Sequence, residues 1–154
     1  MQADGNIADG AFVNQYLHSL DPKRRLTIPA HWREMVGQPA KLYVLPGVND
    51  RCLNVLPARE MMRRLNESRN RLKLSDQKAR QFNRVLASRA DLVTWDTVGR
   101  IRIKEPLLEF AGIKTQAVLS GAFEGFELWN PDLWQASGAM DEEQFAALAR
   151  DVGL

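Results

Sequence analysis

The chain has one cysteine, Cys52, so no intramolecular disulfide can form and no thiolate metal cluster can be assembled. It has only two histidines, His18 and His31, and neither stands at ligand spacing from Cys52 or from the other. There is no glycine-rich phosphate loop and no nucleophile elbow. His18 and Glu34 could be imagined as an acid/base pair, as could many arbitrary pairs, and nothing converges on a catalytic constellation. The chain is therefore expected to be no enzyme, with no cofactor and no small-molecule substrate. No apolar run approaches the roughly 20 residues of a membrane span, so no membrane partner is expected. The opening MQADGNIADG has neither a basic start nor an apolar core, and reads as a short mobile tail over residues 1–11 of a cytoplasmic protein.

What is present is globular in proportion. The 154 residues are 45% hydrophobic and 26% charged, with 10 glycines and 7 prolines. That length allows one ordinary domain, or two small units sharing a core. The net charge of +2 conceals a strong asymmetry. Residues 1–58 hold six Lys/Arg and five Asp/Glu, residues 59–89 ten and three, and residues 90–154 five and eleven, giving +1, +7 and −6. A basic middle beside an acidic end favours an anionic partner or an electrostatically ordered self-association, without choosing between them.

The chain also repeats itself. Aligning Asp21 with Asp96 gives an offset of 96 − 21 = 75, at which Arg25 meets Arg100, Leu26 meets Ile101, Ile28 meets Ile103, Glu34 meets Glu109 and Gly37 meets Gly112. After a one-residue slip Pro57 meets Pro131, each expected to start a helix. In both copies extended runs (12–20 and 90–95) lead into a turn, DPKRR or DTVGR, and then into the alternating RLTIP or RIRIK of a half-buried strand. Short helices are expected from Pro29 to Met35 and from Pro106 to Phe110, ended by Gly37 and Gly112. Two further strands follow in each copy: Lys41 to Leu45 and Cys52 to Leu56, then Thr115 to Leu119 and Gly125 to Trp129.

The predicted organisation is a tail (1–11), a first copy (12–56), a basic helical insert (57–90), a second copy (91–130) and C-terminal helices (131–154). In the insert Ser75 is expected to cap the second of two helices. Asn130 with Pro131, and Asp141 with Gln144 in a capping box, should open the last two. Four short strands cannot bury both faces alone, so the two copies should interlock into one closed, pseudo-twofold barrel of the α+β, mainly β class.

The stretches FVNQYLHSLDPKRRLTIPAHWRE and VTWDTVGRIRI resemble the MraZ family of bacterial transcriptional regulators, two-copy members of the AbrB-like swapped-hairpin barrel superfamily. The resemblance spans about residues 12–138. It implies a ring-like homo-oligomer, nucleoid-associated, that regulates the division and cell-wall gene cluster, as a repressor, by binding direct repeats in double-stranded DNA upstream of its own operon. It places the DNA-binding surface on the two Asp-x-x-x-Arg turns: Lys23, Arg24, Arg25, Arg100 and Arg102, with Asp21 and Asp96 orienting the arginines. The chain departs from the family in having Arg24 and Asn14 where glycine is usual, and Lys104 where the first copy has Pro29. A positive φ at Arg24 would mean strain or a different turn.

Each of these features also has a plainer reading. Lys23, Arg24 and Arg25 could form a solvated loop in which Arg25 pairs locally with Asp21. Arg100 could serve a subunit interface. The cations of the insert (Arg59, Arg63, Arg64, Arg69, Arg71, Lys73, Lys78, Arg80, Arg84, Arg89) could face DNA or meet the carboxylates of residues 90–154. Trp32, Trp95, Trp129 and Trp134 are expected in the core or an interface rather than stacked on bases, with Trp95 the one to watch beside the second turn. Overall the alternative to a regulator is a protein-interaction scaffold or antitoxin-like module with only non-specific affinity for DNA.

Overall fold

The computed structural model describes residues 11–71, 76–138 and 140–154. The tail expected over residues 1–11, apart from Ala11, lies outside them, as do Ser75 and Lys73; of Arg69 and Arg71 only the backbone is described. In chain order the described elements are β1 (Gln15–Ser19), β2 (Arg25–Thr27), α1 (Ala30–Val36), β3 (Leu42–Pro46), β4 (Leu53–Pro57), α2 (Ala58–Arg71), α3 (Gln77–Arg89), β5 (Asp91–Val93), β6 (Arg100–Arg102), α4 (Glu105–Ala111), β7 (Gln116–Gly121), β8 (Phe126–Trp129), α5 (Pro131–Ser137) and α6 (Glu142–Asp151).

The fold is α+β with an antiparallel, six-stranded sheet in the order β1-β7-β8-β4-β3-β5, and a separate two-stranded ribbon, β2-β6. Exchanging the first four strands for the last four, β1 for β5 and so on, reverses the sheet order and leaves it unchanged. Each copy thus sends its first strand into the other's half: β1 lies against β7, and β5 against β3. The registers obey the same exchange. Arg25 faces Arg102 and Thr27 faces Arg100 in the ribbon, at the offset of 75. Across β4 and β8 the pairs Leu53 with Leu128 and Val55 with Phe126 exchange at 126 − 53 = 73. The slip between copies is therefore two residues, not the expected one, because six residues (47–52) join β3 to β4 and four (122–125) join β7 to β8. Pro57 accordingly ends strand β4, whereas Pro131 is the first residue of α5.

The expected closed barrel is not seen among the described residues. Pairing runs openly from edge strand β1 to edge strand β5, and β2 and β6 pair as strands only with each other. The ribbon covers the core instead of completing a ring. Its inward residues Leu26 and Ile101, and the following Ile28 and Ile103, are all 1% exposed or less. Burial on that scale stabilises by about 1.5–3 kcal/mol per side chain. Backbone bonds lock the crossing: the Ile28 amide donates to Gly99 O, and the Ile103 amide to Arg24 O. Beneath them Trp32 is fully buried, with rings of Phe12, Tyr16 and Phe126 at centroid distances of 5.8, 5.3 and 4.7 Å. Its Nε1 donates to Val13 O at 3.0 Å. Trp95 packs on the same core, and Trp129 meets Trp134 edge to face.

Helix ends follow local chemistry. Asn130 accepts from the Asp132 and Leu133 amides, and Asp141 with Gln144 completes the capping box. At α3 the cap is Asp76, which accepts from the Lys78 and Ala79 amides. Asn14 takes a positive φ of 76°.

Candidate functional site

Each Asp-x-x-x-Arg turn leads into one strand of the antiparallel ribbon, so the two stand at its opposite ends, and they are built alike. In the first, Asp21 Oδ1 accepts from the amides of Lys23 (2.9 Å) and Arg25 (2.8 Å), and Oδ2 from Arg25 Nε at 2.7 Å. In the second, Asp96 Oδ1 accepts from Val98 and Arg100 amides, both at 3.0 Å, and Oδ2 from Arg100 Nε at 3.0 Å. A carboxylate is needed because three donors converge on it, and four residues is the span at which one side chain can hold the turn and the arginine together.

Antiparallel pairing of β2 with β6 then brings the turns into contact. Arg25 Nη1 stands 4.0 Å from Asp96 Oδ2, and Arg100 Nη1 is 3.7 Å from Asp21 Oδ2. The result is a quartet of alternating charge in which every side chain keeps roughly a quarter to a third of its surface in solvent (25–34%). Amide donation from Arg25, reinforced by its guanidinium and opposed by partial burial, holds the Asp21 carboxyl below its ordinary value. The Arg100 amide does the same for Asp96. Both aspartates are ionised and spoken for.

Because Leu26 and Ile101 point inward, Arg25, Thr27, Arg100 and Arg102 share the outer face of the ribbon. Arg102 and Lys23 are exposed and have no ion-pair partner among the described residues. Arg24 is different. Its φ is 64°, so the counterpart of Gly99 adopts the left-handed backbone as well. Its guanidinium crosses to the second copy, with Nε and Nη2 donating to the two carboxylate oxygens of Glu105 at 3.2 Å and Nη1 donating to Lys114 O at 2.7 Å. That fork offsets the backbone strain. It also draws the cation away from the outer face, and lowers the Glu105 pKa through the Arg24 hydrogen bond. Its counterpart Gly99, φ 92°, is backed by Arg33 instead: a Cβ there would meet Arg33 Cζ at 2.6 Å.

The structure thus brings together all seven residues singled out from the sequence, and adds three partners that sequence reasoning missed: Glu105, Arg33 and the Lys114 carbonyl. Arg24 and Glu105 are 81 positions apart, and no local pattern links them. Of the five cations singled out, Arg24, Arg25 and Arg100 pair with Glu105, Asp21 and Asp96, and Lys23 and Arg102 stay unpaired among the described residues.

The insert divides in two. In α2, Arg63 and Arg64 both bond Glu60, and both reach Glu124 of the second copy, at 3.5 and 2.9 Å. These cations are engaged within the chain. In α3, no ion pair is seen for Lys78, Arg84 or Arg89 among the described residues. Among the described residues no helix is long and apolar enough to cross a membrane, and no three His, Cys, Asp or Glu side chains gather as metal ligands do.

Residues 86–153 match the family model described as "MraZ protein, putative antitoxin-like". Three curated relatives carry the name transcriptional regulator MraZ. The protein of Finegoldia magna is 32% identical over 124 residues, 80% of this chain and 84% of its own. That of Thermomicrobium roseum is 35% identical over 130 residues (84% and 88%), and that of Leuconostoc citreum 31% over 141 residues (92% and 96%).

Proposed function

This chain belongs to the MraZ family, and from that membership we propose that it is a DNA-binding transcriptional regulator whose β2-β6 ribbon reads repeated sequence upstream of its own operon. The observation that carries the reading is the joining of two Asp-x-x-x-Arg turns into one outward, basic, two-stranded surface. A major groove admits a two-stranded ribbon, and arginine forks match guanine edges there.

In this reading Arg25 and Arg100 have only Nε committed to a short bond, and their terminal nitrogens serve base edges or phosphates. Lys23 and Arg102 contact phosphate. Asp21 and Asp96 aim the arginines, and Arg24 braces the first turn against α4 rather than touching DNA. We read the fold as the AbrB-like swapped-hairpin type, supported by the strand order that survives exchange of the copies. One ribbon makes few contacts. A homo-oligomeric ring presenting several ribbons to direct repeats raises the effective concentration of each successive contact. The division and cell-wall cluster is the proposed target, and repression the proposed sign.

The family description favours keeping a second reading, an antitoxin-like module that binds a protein and DNA only non-specifically. Fluorescence anisotropy separates the two. Labelled DNA from upstream of the gene is compared with a shuffled fragment at two salt concentrations. Preference for the native fragment, retained at the higher salt, supports the regulator. Each of Arg25→Ala and Arg100→Ala should then weaken specific binding roughly 5- to 150-fold with oligomer size unchanged. Equal, salt-labile binding to both fragments would put the second reading first.

A further inference from the structure

Two helices on opposite sides of the charge asymmetry leave matching faces uncovered. Helix α6 has no buried residue and makes no substantial contact with any other described element. Its apolar side is Phe145 and Leu148, continued by the C-capping Val152, exposed by 61, 49 and 71%. Glu142, Glu143 and Asp151 against Arg150 make the helix net −2. An isolated amphipathic helix of ten residues is marginal in water and needs a partner for that face.

Helix α3 is the complement. It too has no buried residue, and its sequence QKARQFNRVLASR contains four cations and no carboxylate, net +4. Phe82 and Val85 are 53 and 42% exposed, and with Arg89 they stand at spacing i, i+3, i+7. Between α3 and the β3-β4 loop they line a recess of about 310 Å³, with Phe110 also in its lining. The guanidinium of Arg51 lies over the Phe110 ring at 4.6 Å. Its lining holds two arginines, Arg51 and Arg89, and one aspartate, Asp50. It has the size and lining to take an aromatic anchor, with cations positioned for an acidic helix.

We infer that α6 of one copy docks on α3 of a second copy, seating Phe145 in the Phe82–Phe110 recess with Glu142 and Glu143 over the basic face. The face offered and the face received are different, so successive copies join head to tail, and a closing rotation gives a ring. The inference rests on the self-association part of the proposed function and is independent of DNA.

The test is sedimentation of the full chain without DNA, using two variants at exposed positions: Phe145→Gln/Leu148→Gln, which lacks the donor face, and Phe82→Gln/Val85→Gln, which lacks the receiving face. Circular dichroism melts check that both remain folded. The wild-type chain should assemble at micromolar concentration, and each variant alone should associate at least tenfold more weakly. Mixing the variants should restore one contact per pair, giving a mixed dimer that grows no further. Raising salt from about 0.1 to about 1 M, which cuts the screening length from about 10 to about 3 Å, should weaken wild-type assembly. A monomeric wild type would overturn both the inference and the self-association reading. A wild-type oligomer that persists in both variants, folded variants that do not pair on mixing, or assembly indifferent to salt would overturn the inference and leave the reading standing.

Discussion

Gly99 is where the second turn has least room, and substituting it separates two costs. At φ 92° an alanine forgoes the left-handed freedom of glycine, a penalty of roughly 1–2 kcal/mol. The smaller entropy of the unfolded alanine chain returns about 0.4–1 kcal/mol. The new Cβ would also stand 2.6 Å from Arg33 Cζ, so the guanidinium must leave, breaking its 3.3 Å bond to Ile28 O at a cost of about 1 kcal/mol. Gly99→Ala should therefore lose about 2 kcal/mol. Gly112 has a similar φ of 68° but open space, with the nearest atom at 3.6 Å, so Gly112→Ala should lose only about 1 kcal/mol. In an Arg33→Ala background the cost of Gly99→Ala should fall to about the same value. Urea unfolding midpoints at constant m give all four numbers. Should Gly99→Ala cost the same with and without Arg33, to within about 0.5 kcal/mol, Arg33 is not the wall behind the turn.

Other consequences are simpler. Arg24→Ala should melt about 2–4 °C below Arg24→Gly, since both lose the fork to Glu105 but only alanine is left at a φ of 64°; equal melting points would mean the turn has relaxed. Asp21 and Asp96 are both held below their ordinary 3.8, so the stability they contribute is complete above that pH and lost as pH falls through their lower folded values. Asp21→Asn/Asp96→Asn should flatten the acid limb of a stability–pH curve below the ordinary 3.8, and an unchanged limb would exclude the quartet as its origin. Cys52 is 1% exposed, and burial pushes its thiol up to about 12. A thiol reagent at about pH 8 should label it only at the rate of unfolding, and rapid labelling of folded protein would contradict that burial.

Much of the fold was legible because it is written locally. Alternation marked β2 and β6, proline and glycine bracketed α1 and α4, and Asp141 with Gln144 announced α6. The turns were legible for a chemical reason: an aspartate four residues before an arginine can hold both amides and side chain at once. Closure of the barrel was not, since whether edge strands meet depends on pairings between distant segments, and the ribbon's apolar residues satisfied the core without it. The two-residue slip was equally hidden, because the β3-β4 and β7-β8 loops differ in length without breaking any pattern in the strands. Arg24 was flagged as a departure, but its remedy lay 81 residues away in Glu105.

The strand order that survives exchange has a consequence for how such a protein can change. In a dimer of identical single-copy chains, any substitution in the Asp-x-x-x-Arg turn appears twice, and the surface stays symmetric. Here both turns belong to one gene and are separately mutable. The first carries an arginine braced on Glu105, while the second carries a glycine backed by Arg33. Fusing the halves therefore releases each turn from the other's history, and lets one scaffold meet an unsymmetrical target without giving up the interlock that folds it.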